Sequence, residues 1–309
     1  MKVSVVTPVY NGARTLRRAL DSALAQQFDD FEMIVVDDGS TDATPAILAS
    51  YGDRIRVIRQ ARSGCEGAST TGCRAARGEF IAWIDADDIW MPNKLAMTVS
   101  PLERDPDCVL VFSNAGKFLE TGETLDDFVH PELAHAPTLD EMLTHLWPII
   151  STTAVVRRSA LEQVGYFFTV PGVYNTCSDI YTWLRLRELG HFHYVPEKLA
   201  MYSARPFPDN IWQYKGGQKY ALRRIVERYG EKGRRLARGT RNRQRSYNVN
   251  QLGYLGLRAM REGRSADARR YFAYALRCDP TSIRNALRLM RTFLPEGIAR
   301  RLTGRSRYA

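Results

Sequence analysis

Asp85 and Asp87 stand two apart at the end of the apolar run Ile81-Ala82-Trp83-Ile84. Where a chain leaves a strand, two such side chains can reach one cation. Mg²⁺ and Mn²⁺ prefer oxygen ligands and keep waters and substrate phosphates in their remaining positions. A cation bridged to a diphosphate neutralises the charge that develops as the diphosphate leaves. The same two residues also suit a strand-end turn whose aspartates cap the next helix, so alone they leave both readings open. Asp37-Asp38-Gly39-Ser40 is open in the same way, since Asx hydrogen bonds make such a run a turn. Tyr10, in Pro8-Val9-Tyr10-Asn11-Gly12, can stack on a nucleobase or pack in a core. Gly64 and Gly67 can bring a loop close to phosphate or make an ordinary turn.

The elements around these residues alternate between strand and helix periods. Lys2–Thr7 reads as a buried strand, and Phe31–Val36, Ile55–Ile58 and Phe80–Ile84 as the second, third and fourth strands. Between the first two lies a helix with Leu16, Ala19, Leu20, Ala23 and Leu24 on one face. Thr41 or Asp42 can cap the next helix, and Pro92 suits the first turn of the helix after the fourth strand. This alternation predicts an α/β fold, a mostly parallel sheet flanked by helices, whose ligands bind at the carboxyl ends of the strands. Those ends carry Thr7-Pro8-Val9-Tyr10, Asp37-Asp38 and Asp85-Ala86-Asp87-Asp88. Beyond Pro106 the pattern is mixed, with strands expected at Val109–Phe112 and Ser151–Arg157 and helices over 138–146 and 179–189. From about Asp209 the chain reads as helical and arginine-rich. Leu255-Gly256, Ala268, Phe272, Ala275 and Pro280 match one tetratricopeptide-like unit, without a second copy, so a single helical hairpin is expected with a helix near 282–294 beyond it.

Taken together, three runs resemble the inverting family 2 glycosyltransferases of the GT-A (Rossmann-like) fold. They are Val3–Asn11, Ile34–Asp42 and Gly78–Asp88, in matching order and spacing. The resemblance covers about 1–205 and implies a donor-binding half over 1–105, an acceptor-binding half of the same domain over 106–208, and a basic helical extension over 209–309. It implies that Thr7, Pro8 and Tyr10 line a nucleoside pocket and that Asp38 bonds the base, usually uracil. Asp85 would lie near the donor ribose or sugar, and Asp87 would ligate Mn²⁺ or Mg²⁺ beneath the diphosphate. Asp88 is left as a helix cap. Ser178-Asp179 resembles the family's Glu-Asp segment, so Asp179 would be the catalytic base, with N-cap of its helix as the alternative role. Two departures stand out. Ala68-Ser69-Thr70 replaces the family's Ala-Arg-Asn, which weakens the uracil preference. Arg205 replaces a histidine near the metal; it cannot ligate a cation but could pair with the diphosphate.

The implied activity is metal-dependent transfer of a sugar from a nucleotide-diphosphate donor, a UDP-sugar favoured, to a glycan or lipid-linked acceptor in cell-surface polysaccharide or glycoconjugate synthesis. Two other readings are weighed against it. A nucleotidyltransferase would need a glycine- and lysine-rich phosphate loop after the first strand, and Tyr10-Asn11-Gly12-Ala13-Arg14 fits that poorly. The changes at Ser69, Ser178 and Arg205 also suit an inactive scaffold that binds partners through its tail.

Composition adds two constraints. The chain has 309 residues and a net charge of +10, but residues 215–309 hold 25 Lys+Arg against 6 Asp+Glu, while 1–214 carry a net −9. That asymmetry points to an anionic partner: a membrane surface, an acidic protein or nucleic acid. Arg284, Arg288 and Arg291 recur along one helix beside Leu287, Met290 and Leu294, as in helices that lie on anionic leaflets, although a solvated charged surface explains the arginines equally. Nucleic acid is disfavoured, because no nucleic-acid fold signature accompanies the charge. Five widely spaced cysteines without a CxxC pair argue against a disulfide framework or zinc site and for a cytoplasmic enzyme, peripheral on the membrane at most. The first residues leave no room for a signal-peptide core, no run reaches the length of a membrane span, and His130, His135 and His145 are too scattered to read as a metal site.

Overall fold

The computed structural model describes residues 1–118, 124–125, 129, 131–144, 147–203 and 209–293. The strands are β1 (Val3–Val9), β2 (Phe31–Asp37), β3 (Arg56–Arg59), β4 (Phe80–Trp83), β5 (Ile89–Trp90), β6 (Cys108–Phe118), β7 (Thr124–Leu125), β8 (Ala154–Arg157) and β9 (His191–Ser203). The helices are α1 (Leu16–Leu24), α2 (Thr44–Ala49), α3 (Cys65–Ala75), α4 (Lys94–Arg104), α5 (Leu139–Thr144), α6 (Arg158–Val164), α7 (Ser178–Leu189), α8 (Asp209–Arg261), α9 (Ser265–Cys278) and α10 (Ile283–Arg291).

One sheet runs in the order β3-β2-β1-β4-β8-β6-β9-β5, with β7 on β6. The first four strands are parallel, as their apolar runs and intervening helices require. β8 is antiparallel to both β4 and β6, and β5 to β9, so the sheet as a whole is mixed. All seven residues of β1 are buried, because helices cover both faces of the sheet. Leu16, Ala19, Leu20 and Ala23 of α1 pack on one face with Val3, Val5 and Met33. On the other, Val6, Ile34 and Trp83 pack with Ala68 of α3 and Trp183 of α7. Trp83, Phe167 and Trp183 meet edge to face at 5.5–5.9 Å between centroids, an arrangement that the ring quadrupoles favour.

Gly230, at φ 55° and ψ −123°, interrupts α8. The chain forms two compact units, one of Met1–Pro206 with Trp212–Ala237 and the other of Phe207–Ile211 with Arg238–Ala309, so the main division falls at 237/238 within α8. Leu222, Ile225, Leu236 and Ala237 belong to the core beneath the sheet, so this part of the basic extension belongs to the unit that carries the sheet. The second unit is built on the remainder of α8 with α9 and α10. Its core is Ala259, Ala268 and Phe272, with Leu252 and Ala275 beside it. Gly256 lets α8 lie directly against the Phe272 ring. Of the tetratricopeptide-like residues, Gly256, Ala268, Phe272 and Ala275 are buried in the seam of a helical hairpin, while Leu255 is half-buried and Pro280 exposed. Among the described residues no helix is long and apolar enough to cross a membrane.

Candidate active site

β2, β1 and β4 are neighbours and parallel, so their carboxyl ends open at one edge of the sheet. Tyr10, Asp38 and Asp85 follow them there, and backbone bonds fix the exits: Asp38 N–H donates to Val9 O at 2.8 Å and Ile84 N–H to Val6 O at 3.2 Å. The loop after β1 is stitched to the loop after β2. Asn11 sits at φ 50°, where asparagine is tolerated, and its Oδ1 accepts from the backbone of Thr41 at 2.8 Å and Asp42 at 3.3 Å. Asp42 does not cap α2 as expected. Its Oδ1 accepts from Thr44 N–H and its Oδ2 from Ala13 N–H, forming an Asx turn that ties the two loops.

The two aspartates after β2 hold loops. Asp37 Oδ1 accepts from Ser40 N–H at 2.9 Å, and its Oδ2 lies 3.6 Å from Arg59 Nε. Asp38 Oδ1 accepts from Gln60 Nε2 and Ser63 N–H, each at 2.8 Å, and Oδ2 from Gly64 N–H at 2.8 Å. Asp38 thereby fixes the path of residues 60–64. Thr7 and Pro8 are buried, and the Thr7 hydroxyl has no hydrogen-bond partner. Tyr10 is the member of that trio that reaches solvent, at 38% exposure.

Its ring is covered by a residue that the spacing of motifs did not single out. The Arg62 guanidinium lies 3.7 Å from the Tyr10 ring centroid and 4.2 Å from that of Tyr174, a cation–π sandwich. Tyr174 comes from the segment before α7, and that segment is fastened to the loop at 64–66. Cys65 N–H donates to Tyr174 O at 3.0 Å, and Thr176 N–H donates to Glu66 Oε1 at 2.7 Å. Gly64, at φ +90°, is required by this approach, since a Cβ there would sit 2.6 Å from Tyr174 Cα. Arg62, Glu66 and Tyr174 went unnoticed because their adjacency joins segments more than a hundred residues apart; the only local signal was the glycine at 64.

Asp85 accepts from Ser151 Oγ at 3.2 Å, a contact made because β8 runs back beside β4. Arg18 donates to the Asp87 carbonyl at 3.0 Å. Asp88 is not a helix cap. It is fully buried at the start of β5, where Oδ1 accepts from Ser203 N–H at 2.8 Å and Oδ2 has no hydrogen-bond partner. Burial, and then the charges of Asp85 and Asp87, push its carboxyl well above the usual carboxylate range. Asp179 lies in the first turn of α7, behind Cys177 as N-cap. Burial first, and then the charge of Glu66, push its carboxyl up to about 7, with Asp85 adding to the shift. The thiol of Cys65 is also raised, by desolvation and then by Asp85, Glu66 and Asp179. Asp85, Glu66, Cys65 and Asp179 therefore share one electrostatic neighbourhood. Ser178, where the family has an acid, is buried with its hydroxyl unpaired. Arg205, His130 and His145 lie outside the described residues.

No three Asp, Glu, His or Cys side chains among the described residues gather closely enough to hold a cation on their own. The oxygen donors of Asp85 and Asp87 still suit a hard divalent ion, which takes its remaining ligands from water and substrate phosphate.

A family model described as glycosyl transferase family 2 matches residues 4–165. An uncharacterized glycosyltransferase of Rickettsia felis is 30% identical over 199 residues, 62% of this chain and 32% of its own length. One from Rickettsia typhi is 33% identical over 53% of each chain. The chain thus spans about a third to a half of the length of these relatives. TuaG of Bacillus subtilis, a glycosyltransferase named for teichuronic acid biosynthesis, is 34% identical over 68% of this chain and 83% of its own. The crystal structure of S. aureus TarS 1-349 in complex with UDP superposes with a TM-score of 0.62, covering 100% of this chain and 93% of that one, at 17% identity. A second TarS structure, in complex with UDP-GlcNAc, gives 0.60. That likeness is one of fold, a GT-A sheet followed by helices. With the family model spanning more than half of its residues and TuaG alike over most of both chains, the protein belongs to glycosyl transferase family 2.

Proposed function

We propose that this enzyme moves a sugar from a nucleotide-diphosphate donor, a UDP-sugar by preference, to a hydroxyl of a glycan or lipid-linked acceptor, with inversion at the anomeric carbon. The observation that carries this reading is Asp179 in the first turn of α7, its carboxyl raised to about 7 by burial and then by the charges of Glu66 and Asp85. An inverting transfer needs one base. The acceptor hydroxyl gives its proton to Asp179 while its oxygen bonds to the anomeric carbon, and the bond from that carbon to the diphosphate breaks with its electron pair leaving on phosphate oxygen. A base whose proton affinity lies near the working pH suits this role.

On the donor side, Tyr10 and Tyr174 offer ring faces for a base, and Arg62 offers a guanidinium with no ion pair among the described residues. Thr7 and Pro8 form the buried floor, and Asp38 holds the loop that carries Arg62 while remaining able to accept from the base. Asp85 would contact the ribose or sugar. Asp87, with Asp85 beside it, would hold Mn²⁺ or Mg²⁺, which when bound neutralises charge on the departing diphosphate. Arg205 is proposed to pair with that diphosphate, and 106–208 to receive the acceptor. The name of TuaG, for teichuronic acid biosynthesis, supports cell-surface polysaccharide synthesis, and the UDP-GlcNAc bound to TarS supports a UDP-sugar donor. The basic helices suit an anionic membrane surface, and the site a cytoplasmic supply of donor.

A thermal-shift and donor-hydrolysis screen of UDP-, GDP- and dTDP-sugars, with and without Mn²⁺, tests the reading. A metal-dependent response to a UDP-sugar is expected; no response to any donor removes it.

A further inference from the structure

The helix α10 has two unlike faces. Asn285 and Thr292 are buried, and Leu289 packs on the Ala259, Ala268 and Phe272 cluster, so this face closes the core of the second unit. On the opposite face Ile283, Leu287 and Met290 are 75%, 48% and 59% exposed, and Phe293, just past the helix, is 66% exposed. At 3.6 residues per turn, positions 283, 287 and 290 fall within one narrow stripe. Arg284 and Arg291 lie along its edge and are exposed. Neither forms an ion pair among the described residues. Arg269 extends the basic rim, its guanidinium 4.4 Å from the Phe293 ring centroid. No acidic residue occurs on α10, and the described acids before it are engaged: Glu262 with Arg258 and Arg264, Asp267 with Arg264, and Asp279 with Thr281; Glu296 lies outside the described residues. From Arg238 onward the sequence holds 17 Lys+Arg and 4 Asp+Glu.

We infer that α10 docks this chain on an anionic lipid surface, its apolar stripe entering the acyl boundary while Arg284 and Arg291 meet the lipid phosphates. The inference rests on the reading of the basic helices as seeking an anionic partner and does not depend on the donor.

The chemistry of the face selects among occupants. Nucleic acid would engage the arginines but leave four large apolar side chains in water. A second copy of the chain would bring its own Arg284 and Arg291 against these, and like charges in an interface oppose association. An anionic leaflet takes both halves of the face at once. Apolar side chains leave water at the level of the acyl chains, and arginines sit at the level of the headgroups. The stripe is a ridge one helix wide, which needs no preformed groove in the partner. Each arginine is worth about fivefold in partitioning to such a surface.

Co-sedimentation of the full chain with phosphatidylcholine vesicles, or with phosphatidylcholine mixed with phosphatidylglycerol, tests this. Pelleting with the mixed vesicles alone is expected, weakening as salt rises. The exposed positions allow Leu287→Glu and Met290→Glu without loss of core, which circular dichroism and an unchanged donor thermal shift would check. The double variant should lose at least tenfold in partitioning, and Arg284→Gln with Arg291→Gln about twenty-five-fold. Equal recovery of the parent in both supernatants overturns both the inference and the anionic-surface reading of the tail, leaving the donor reading untouched. Retained pelleting of the glutamate double variant overturns the insertion of α10 alone. Self-association of the parent without vesicles, abolished by the glutamates, would make a second copy the occupant and also overturn the inference.

Discussion

A base that titrates near pH 7 sets the pH dependence of the transfer it assists. The carboxyl of Asp179 is held above its ordinary range by burial, then by Glu66, so it carries its proton at pH 5 and has lost it by pH 9. The rate should therefore rise with pH through about 7, read as kcat/KM at fixed metal and donor; a flat profile across that range would remove Asp179 from the role. Asp179→Asn should keep donor binding and lose about 10²–10⁴-fold in transfer, measured by isothermal titration beside product formation. At Arg62 the expected effect is on binding. Arg62→Ala removes the cation between Tyr10 and Tyr174, and donor KM should rise about fivefold with kcat little changed. A variant with parental KM would reduce Arg62 to a surface contact. These residues differ in how legible they were. The positions of Asp85, Asp87 and Asp179 were readable because each follows a strand or opens a helix. Arg62, Glu66 and Tyr174 gain meaning only when two distant loops touch, and no local spacing encodes that contact.

Elements were legible where burial is continuous. In the parallel set β3-β2-β1-β4, the strands β2, β1 and β4 show as apolar runs because both faces are covered, whereas β3, Arg56-Val57-Ile58-Arg59, is an exposed edge strand. β9 was missed because its burial is broken by Glu197 and Lys198, which face solvent, and because its register with β6 shifts at three places. The cap expected of Asp88 failed for a related reason: the short β5 intervenes before α4. At α4 itself, Lys94 is fully buried, its Nζ donating to Thr153 O at 3.0 Å and lying 5.0 Å from the Trp90 ring centroid. With Trp90 Nε1 bonded to Thr152 O at 2.9 Å, it pins the 151–153 turn from which Ser151 reaches Asp85. Burial lowers its pKa to about 7 from an ordinary 10.5. The unfolded chain thus binds the extra proton between those values, and native stability from this group rises with pH across that window. Lys94→Met removes the titration. The stability of Lys94→Met relative to the parent should be greater at pH 6 than at pH 9 by about 3 kcal/mol. Urea denaturation at the two pH values measures it, and a pH-independent difference would place the Lys94 charge in contact with a compensating group.

At the scale of the whole molecule, the sequence divides by charge near 215, whereas the compact units divide at 237/238. The discrepancy has a physical cause. Charge counts the surface, and the first turns of α8 are basic outside yet bury Ala221, Leu222 and Ile225. A domain boundary follows the core, which composition does not report. The consequence can be tested by length. A chain ending at Ala237 keeps every residue of the two cores around the sheet, together with Tyr10, Arg62, Asp85, Asp87, Tyr174 and Asp179. It should unfold in one cooperative transition and retain its donor-dependent thermal shift, while losing its affinity for anionic vesicles. A chain ending at Asn210 removes Leu222, Ile225, Leu236 and Ala237 from the core beneath the sheet. That leaves cavities costing about 2–5 kcal/mol for each large side chain lost, so this shorter chain should fail to give a cooperative transition. If the two truncations behaved alike in differential scanning calorimetry, the first turns of α8 would be dispensable to the fold, and the boundary would lie where the charge changes rather than where the core ends.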